Sequence, residues 1–396
     1  MTPVRPPPPL SLLIIAYLGF ISLGLPDAIA SVAWPDLRHE YHLAQADFAW
    51  LFLGCGLGYF FSSFFAGKLT QLLTVGPLLA VSSFLVSGAM FGYSQARWWE
   101  LLVGCAAIWG LGSGAIDAAL NHYAASHFSP RQVSWLHACY STGATLGPLI
   151  MTACVVHAHS WRMGYGIVGA AMLAMALLFA ATQRRWADGV AEEPHESAAA
   201  ASLLSVLREP VVWLQIVLFF LYTGLENTAG QWTYTLLTES RGVSAQSAGI
   251  LVGTYYASIA AGRLLFGFIA QRIGLDRLVR LSTLGAIIGA ACLAFGSLPL
   301  AAAGLVILGL GLASIFPTLM TRTPQRLGRS YATHAVGFQV SAAMLGSAAL
   351  PSLTGAAAQE LGLETIGICD LAIATAIFVM HELLLRLPEK QSSRAE

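Results

Sequence analysis

Charge is what this sequence has least of. Of its 396 residues only 10 % are Asp, Glu, Lys or Arg, with 20 acidic groups against 20 basic ones, where a soluble domain carries roughly 25 %. So little charge cannot clothe a water-facing surface, and a net charge of zero leaves no basic footprint for nucleic acid. Reactive motifs are missing too. The chain has no HExxH, no GxSxG and no GxxxxGK[ST], so zinc proteolysis, serine hydrolysis and ATP-driven pumping have no chemistry to rest on. The protein is therefore expected not to be an enzyme, to use no cofactor and to hold no metal. Its six cysteines stand singly inside apolar segments and read as small core residues. Pro6 to Pro9 precede an apolar run too long for a signal-peptide core, so no cleavable signal is expected.

What is present is apolar helix. Hydrophobic residues make up 56 % of the chain, arranged in runs of about 20, the length that crosses a bilayer. Twelve spans are predicted, at 10–33, 47–70, 76–95, 99–128, 131–157, 162–183, 209–238, 245–271, 276–296, 299–321, 330–358 and 363–386. The one substantial polar break, Gln183 to Ser205, divides them into a six-helix bundle at 1–183, a linker at 184–207 and a second bundle at 208–396. Gly54/Gly58, Gly110/Gly114, Gly143/Gly147 and Gly285/Gly289 have the small-xxx-small spacing of closely packed membrane helices. Placing the N-terminus in the cytoplasm puts every Lys and Arg there except Arg38, Arg97, Arg162 and Arg241 outside and Arg263 within a span. That bias orients both termini inward.

The halves also match one another. Gly24-Leu25 aligns with Gly224-Leu225, Gly67 with Gly267, Gly110 with Gly309 and Gly147 with Gly346, all at a shift of about 200. Parallel six-span repeats place a substrate site near the midplane between halves that rock against each other. The expected fold is thus an all-α polytopic membrane protein of two pseudo-symmetric six-helix bundles.

The stretch from Gly110 to Pro148 organises the chain: two spans joined by a polar turn at Ser129-Pro130-Arg131, with Asp117 and His137 among apolar residues. An ionised carboxylate in hydrocarbon costs several kcal/mol, so Asp117 is expected to face a protein-lined or watered cavity. Asn121, four residues on, shares its face, and a carboxylate beside an amide suits sugar hydroxyls, which both donate and accept. Asp27 follows Pro26, whose missing donor loosens the first span. Tyr140 stands one turn from His137. In the seventh span Glu226, Asn227 and Gln231 put a carboxylate and two amides within two turns. Trp232, Tyr255 and Tyr256 are aromatic candidates for the same lining, and Gln339 is a further polar one. Asp370, in the twelfth span, reads as structural or interfacial.

These residues resemble the major facilitator superfamily, and within it the fucose permease branch of proton-linked sugar symporters and sodium-dependent glucose transporters. The superfamily's loop signature is similar to Gly267-Phe268-Ile269-Ala270-Gln271-Arg272-Ile273-Gly274, preceded by Gly262-Arg263. Its first-half copy, Gly67-Lys68-Leu69-Thr70-Gln71, lacks the usual acidic residue and downstream arginines. Gly24-Leu25-Pro26-Asp27, Gly110-Leu111-Gly112 with Asp117 and Asn121, and Tyr222-Thr223-Gly224-Leu225-Glu226 with Gly230-Gln231-Trp232 carry the branch likeness. The resemblance implies Lys68, Arg263 and Arg272 in gating. It also implies a carboxylate at Asp117, and polar substrate contacts at His137 and Tyr140.

The expectation is a monomeric, multi-pass secondary transporter of the inner (plasma) membrane that imports a monosaccharide of the hexose or deoxyhexose class by alternating access. Asp27, Asp117 and Glu226 would couple transport to protons, with sodium as the alternative ion. A proton-driven exporter of drugs or small metabolites is the rival on the same fold. A non-transporting membrane sensor is the rival from another class.

Overall fold

The computed structural model describes residues 10–186 and 203–387. Most of the expected linker, together with Arg5, Lys390 and Arg394, lies outside the described residues. Within them every regular element is helical. The first span is two helices, α1 (Leu10–Gly24) and α2 (Ile29–Glu40). Pro26 brings no amide hydrogen, and the Asp27 N–H reaches back only to the Gly24 carbonyl, at 3.3 Å in a turn, so the helix opens where the sequence loosens it.

The second span is also divided, into α3 (Phe48–Phe64) and α4 (Ala66–Leu73). Near the break the Ser62 hydroxyl bonds the Tyr59 carbonyl of its own helix at 3.2 Å, competing with the backbone ladder, and the Ser63 hydroxyl bonds the Gly114 carbonyl of a later helix at 3.3 Å. Among the described residues eleven helical segments, Leu10–Glu40 counted as one, are long and apolar enough to cross a membrane, and α3, at 17 residues, is too short to be one of them.

The chain continues through α5 (Val75–Gln95), α6 (Trp99–His127), α7 (Pro130–Ala158) and α8 (Trp161–Thr182). The turn before α7 is a reciprocal cap: the Ser129 N–H donates to the Gln132 side chain at 2.8 Å and the Gln132 N–H to the Ser129 hydroxyl at 3.4 Å. After the short α9 (Leu203–Leu207) come α10 (Pro210–Thr235), prolonged by a π turn at Leu236–Ser240, and α11 (Ala245–Ile273). Then follow α12 (Leu275–Phe295), α13 (Leu298–Ala313) and α14 (Ile315–Leu327), the last two separated at Ser314, and finally α15 (Arg329–Leu361) and α16 (Thr365–Arg386).

The chain forms two compact units. The first holds residues 1–190 with Thr233–Ala260, and the second Ala191–Trp232 with Ala261–Glu396, so the division falls inside α10 and α11. One close crossing recurs in each. In the first, a Cβ on Gly24 would stand 2.1 Å from the Tyr140 carbonyl oxygen, and one on Gly143 2.0 Å from that of Ile21, so α1 and α7 touch backbone to backbone. In the second, a Cβ on Gly346 would stand 2.0 Å from the Phe220 carbonyl oxygen, joining α10 and α15 in the same way. Of the glycines aligned in the sequence, Gly147 and Gly346 both stand at this crossing, a Cβ on Gly147 falling 2.4 Å from the Leu25 carbonyl oxygen.

In the first unit the end of α2 is tied to the π turn. Arg38 donates to both carboxylate oxygens of Glu239, at 3.0 and 2.9 Å, and Gln45 donates to one of them at 3.2 Å while accepting from the Trp34 indole at 2.7 Å. In the second unit Gln215, Thr323 and Gln339 form a fully buried polar triad joining α10, α14 and α15. Gln339 donates to Gln215 and to Thr323, both at 2.9 Å. Removing one member strands the others, at about 1–3 kcal/mol for each buried polar group left unpaired. Gln339→Leu is accordingly expected to lower the thermal unfolding temperature of the purified protein, and Gln215→Leu/Gln339→Leu to restore part of the loss.

Candidate functional site

The first unit gathers four predicted residues and one the sequence reading missed. Asp27, in the turn between α1 and α2, is exposed, and one of its oxygens accepts a short hydrogen bond from the Tyr140 hydroxyl of α7. Asp117 on α6 is half-buried and fully engaged. Tyr59 donates to one oxygen at 2.6 Å, and Asn121, one turn on, donates to the other at 2.8 Å. The two carboxylates lie within electrostatic reach of each other, and Tyr59 of both. Among the described residues neither aspartate has a basic ion-pair partner. The turn at Pro26 and the tight α1–α7 crossing bring Asp27 to Tyr140.

Tyr59 was not anticipated because it sits in the aromatic run Gly58-Tyr59-Phe60-Phe61, where it reads as packing. The neighbouring Ser62 and Ser63 were the available hint of a polar face. His137 is exposed and stands edge-on to Phe20, with ring centroids 5.6 Å apart.

The second unit holds a differently charged cluster. Glu226 on α10 accepts from Tyr222 one turn below, in a short hydrogen bond, and from Arg263 of α11 at 3.2 Å. Arg263, assigned to gating from its sequence context, is thus the countercharge of Glu226. Asn227 turns its amide onto the Thr223 carbonyl of its own helix, at 2.9 Å. Gln231 is buried with its amide nitrogen unpartnered among the described residues.

The aromatic candidates divide. Trp232 is fully buried, its indole donating to the Pro351 carbonyl at 2.8 Å and its ring filling the space a side chain at Gly355 would need. It holds α10 to α15. Tyr255 is buried in the first unit, edge-on to the half-buried Tyr256, 5.1 Å between centroids. Gln339, expected as a substrate contact, belongs to the buried triad with Gln215 and Thr323. For these three residues the sequence spacing gives a helix face but not the neighbour that covers it.

Lys68 on α4 and Arg272 near the end of α11 are exposed. Asp370 is fully buried in α16, both carboxylate oxygens without a hydrogen-bond partner among the described residues.

Comparison with known proteins agrees with this architecture. Residues 16–237 and 232–396 match the description Major Facilitator Superfamily. An uncharacterized transporter of Sinorhizobium fredii, y4wD, is 27 % identical over 380 residues, covering 92 % of this chain and 97 % of that protein. The glucose/mannose transporter GlcP of Bacillus subtilis is 20 % identical, covering 90 % of each chain. The human sodium-dependent glucose transporter 1 is 21 % identical, covering 85 % of this chain and 71 % of that protein. Among solved structures, the nucleoside transporter NupG superposes with a TM-score of 0.76 at 14 % identity, covering 95 % of this chain and 98 % of that one, a likeness of fold.

Proposed function

Because the chain belongs to the Major Facilitator Superfamily, whose members are carriers rather than enzymes, we propose that it is a cation-coupled monosaccharide transporter of the plasma membrane, acting as a monomer. The observation that carries this reading is the pair of aspartates in the first unit. Two interacting carboxylates without a basic partner, inside segments otherwise fit for hydrocarbon, form a site for one exchangeable cation.

Their hydrogen bonding divides the labour. Both oxygens of Asp117 accept from neutral donors, which fixes its orientation. Asp27 is exposed and has a single donor, so it is the group that exchanges a proton with the aqueous path. Tyr140 positions it, and Asn121 and His137 offer donors and acceptors to a sugar. Glu226, neutralised by Arg263, serves as a fixed ion pair and not as a proton carrier. The named activities of GlcP and of the sodium-dependent glucose transporter support a hexose as the substrate class.

The test is counterflow in proteoliposomes. Liposomes loaded with unlabelled hexose are expected to accumulate labelled hexose transiently, and an inward acid gradient to drive net uptake. Nucleoside or drug counterflow without any hexose counterflow would overturn the sugar assignment. Uptake driven by sodium but not by acid would replace the coupling ion.

A further inference from the structure

Three arginines at the arginine-rich end of the second unit are answered by their neighbours. Arg280 pairs with Glu382 and Arg322 with Asp276, both at 2.7 Å, and Arg326 donates to the Leu384 carbonyl at 3.0 Å. Arg208 and Arg386 differ. Both are exposed, and among the described residues neither takes part in an ion pair or a side-chain hydrogen bond.

They line one open cavity of about 620 Å³ between the start of α10 and the end of α16, with no acidic side chain in its wall. The rest of the wall is apolar, including Leu207, Trp213, Leu383 and Leu387. Trp213 is 54 % exposed, yet its indole N–H is fixed to the Leu207 carbonyl at 2.8 Å. It is therefore a held aromatic at the edge of the apolar zone, where tryptophan anchors helices to a bilayer surface.

Two unanswered guanidiniums over an apolar wall ask for a ligand with an anionic head and a hydrocarbon body. A soluble anion would satisfy the arginines and leave the leucines and the tryptophan in water. A phosphodiester offers the paired oxygens that guanidinium binds in fork geometry, and basic pockets between membrane helices on the cytoplasmic side hold acidic headgroups. We propose that this cavity binds one anionic phospholipid of the leaflet on the arginine-rich side, its phosphate between Arg208 and Arg386 and an acyl chain along Trp213 and Leu383. Its occupancy fastens the beginning of α10 to the end of α16. The site does not depend on which solute the protein carries.

The full chain in nanodiscs of phosphatidylcholine, with and without phosphatidylglycerol, tests it by native mass spectrometry of retained lipid. Wild type is expected to keep phosphatidylglycerol in preference to phosphatidylcholine. Arg208→Gln and Arg386→Gln should each weaken that preference roughly five-fold, the effect of one basic residue near a charged membrane surface, and the double variant should abolish it. Arg208→Lys/Arg386→Lys, which keeps the charge, should retain most of it. If the double glutamine variant does not fold, the single variants and the lysine pair decide. Phosphatidylglycerol retention at the wild-type level in the glutamine variants overturns the proposal. Release of the bound lipid by inorganic phosphate alone does so too, because it reduces the cavity to a simple anion site.

Discussion

Asp27→Asn is expected to abolish acid-driven uphill accumulation of hexose while leaving exchange across the membrane largely intact. Asparagine keeps the size of the aspartate and an oxygen to accept the Tyr140 hydroxyl, so the packing of α1 against α7 is preserved. What it removes is the ability to take up and give back a proton, and with that the link between the ion gradient and the solute. A carrier without the link still isomerises with solute bound, so counterflow persists and only concentration against a gradient is lost. The measurement is paired: uptake into proteoliposomes under an imposed acid gradient, and counterflow without one. Asp117→Asn is expected to behave differently. It loses one of the two acceptor oxygens that hold Tyr59 and Asn121, so both counterflow and uphill uptake should fall together. Undiminished uphill uptake in Asp27→Asn would remove that residue from the coupling step.

The second large effect concerns the fold. Gly110→Ala should destabilise the protein severely, because the added Cβ would lie 2.0 Å from the Cys55 carbonyl oxygen, and the facing Gly58 stands in the same relation to the Ala107 carbonyl, at 2.1 Å. The obstacle on each side is backbone, which cannot turn aside as a side chain can. Overpacking of this kind costs about 3 kcal/mol at the upper end of the usual range, which is roughly a hundred-fold in the folded-to-unfolded ratio. Gly88→Ala is the matched control: it is also a glycine inside a helix, but a Cβ there meets nothing within 4 Å. Thermal unfolding of the two purified variants should separate them clearly, with Gly88→Ala at or slightly above wild type, since alanine is the better helix former. Equal stability of the two would mean that α3 and α6 do not meet at Gly58 and Gly110.

Much of the architecture was legible beforehand because the bilayer imposes a simple rule on sequence. Runs of about 20 apolar residues and too few charges for a water-soluble surface are sufficient to give helices and their approximate ends. The Pro26-Asp27 break was legible for the same local reason, a missing amide hydrogen. The second span was less so, since the interruption after Phe64 has no proline or glycine at the break to announce it.

The site divided along the same line. Asp27, Asp117 and Asn121 could be singled out because a carboxylate in an apolar run is expensive anywhere and Asn121 follows at one turn. Their partners Tyr59 and Tyr140, the pairing of Glu226 with Arg263, and the enclosure of Trp232, Tyr255 and Gln339 depend on which helix lies opposite. Sequence by itself determined the class of protein, its helices and the acids that must be answered. Only the tertiary structure decided which acid is answered by a cation, which by neutral donors and which stands open. The reason is that transfer energies act on each residue alone, whereas hydrogen-bond and ion-pair partners are chosen by contacts between segments far apart in the chain.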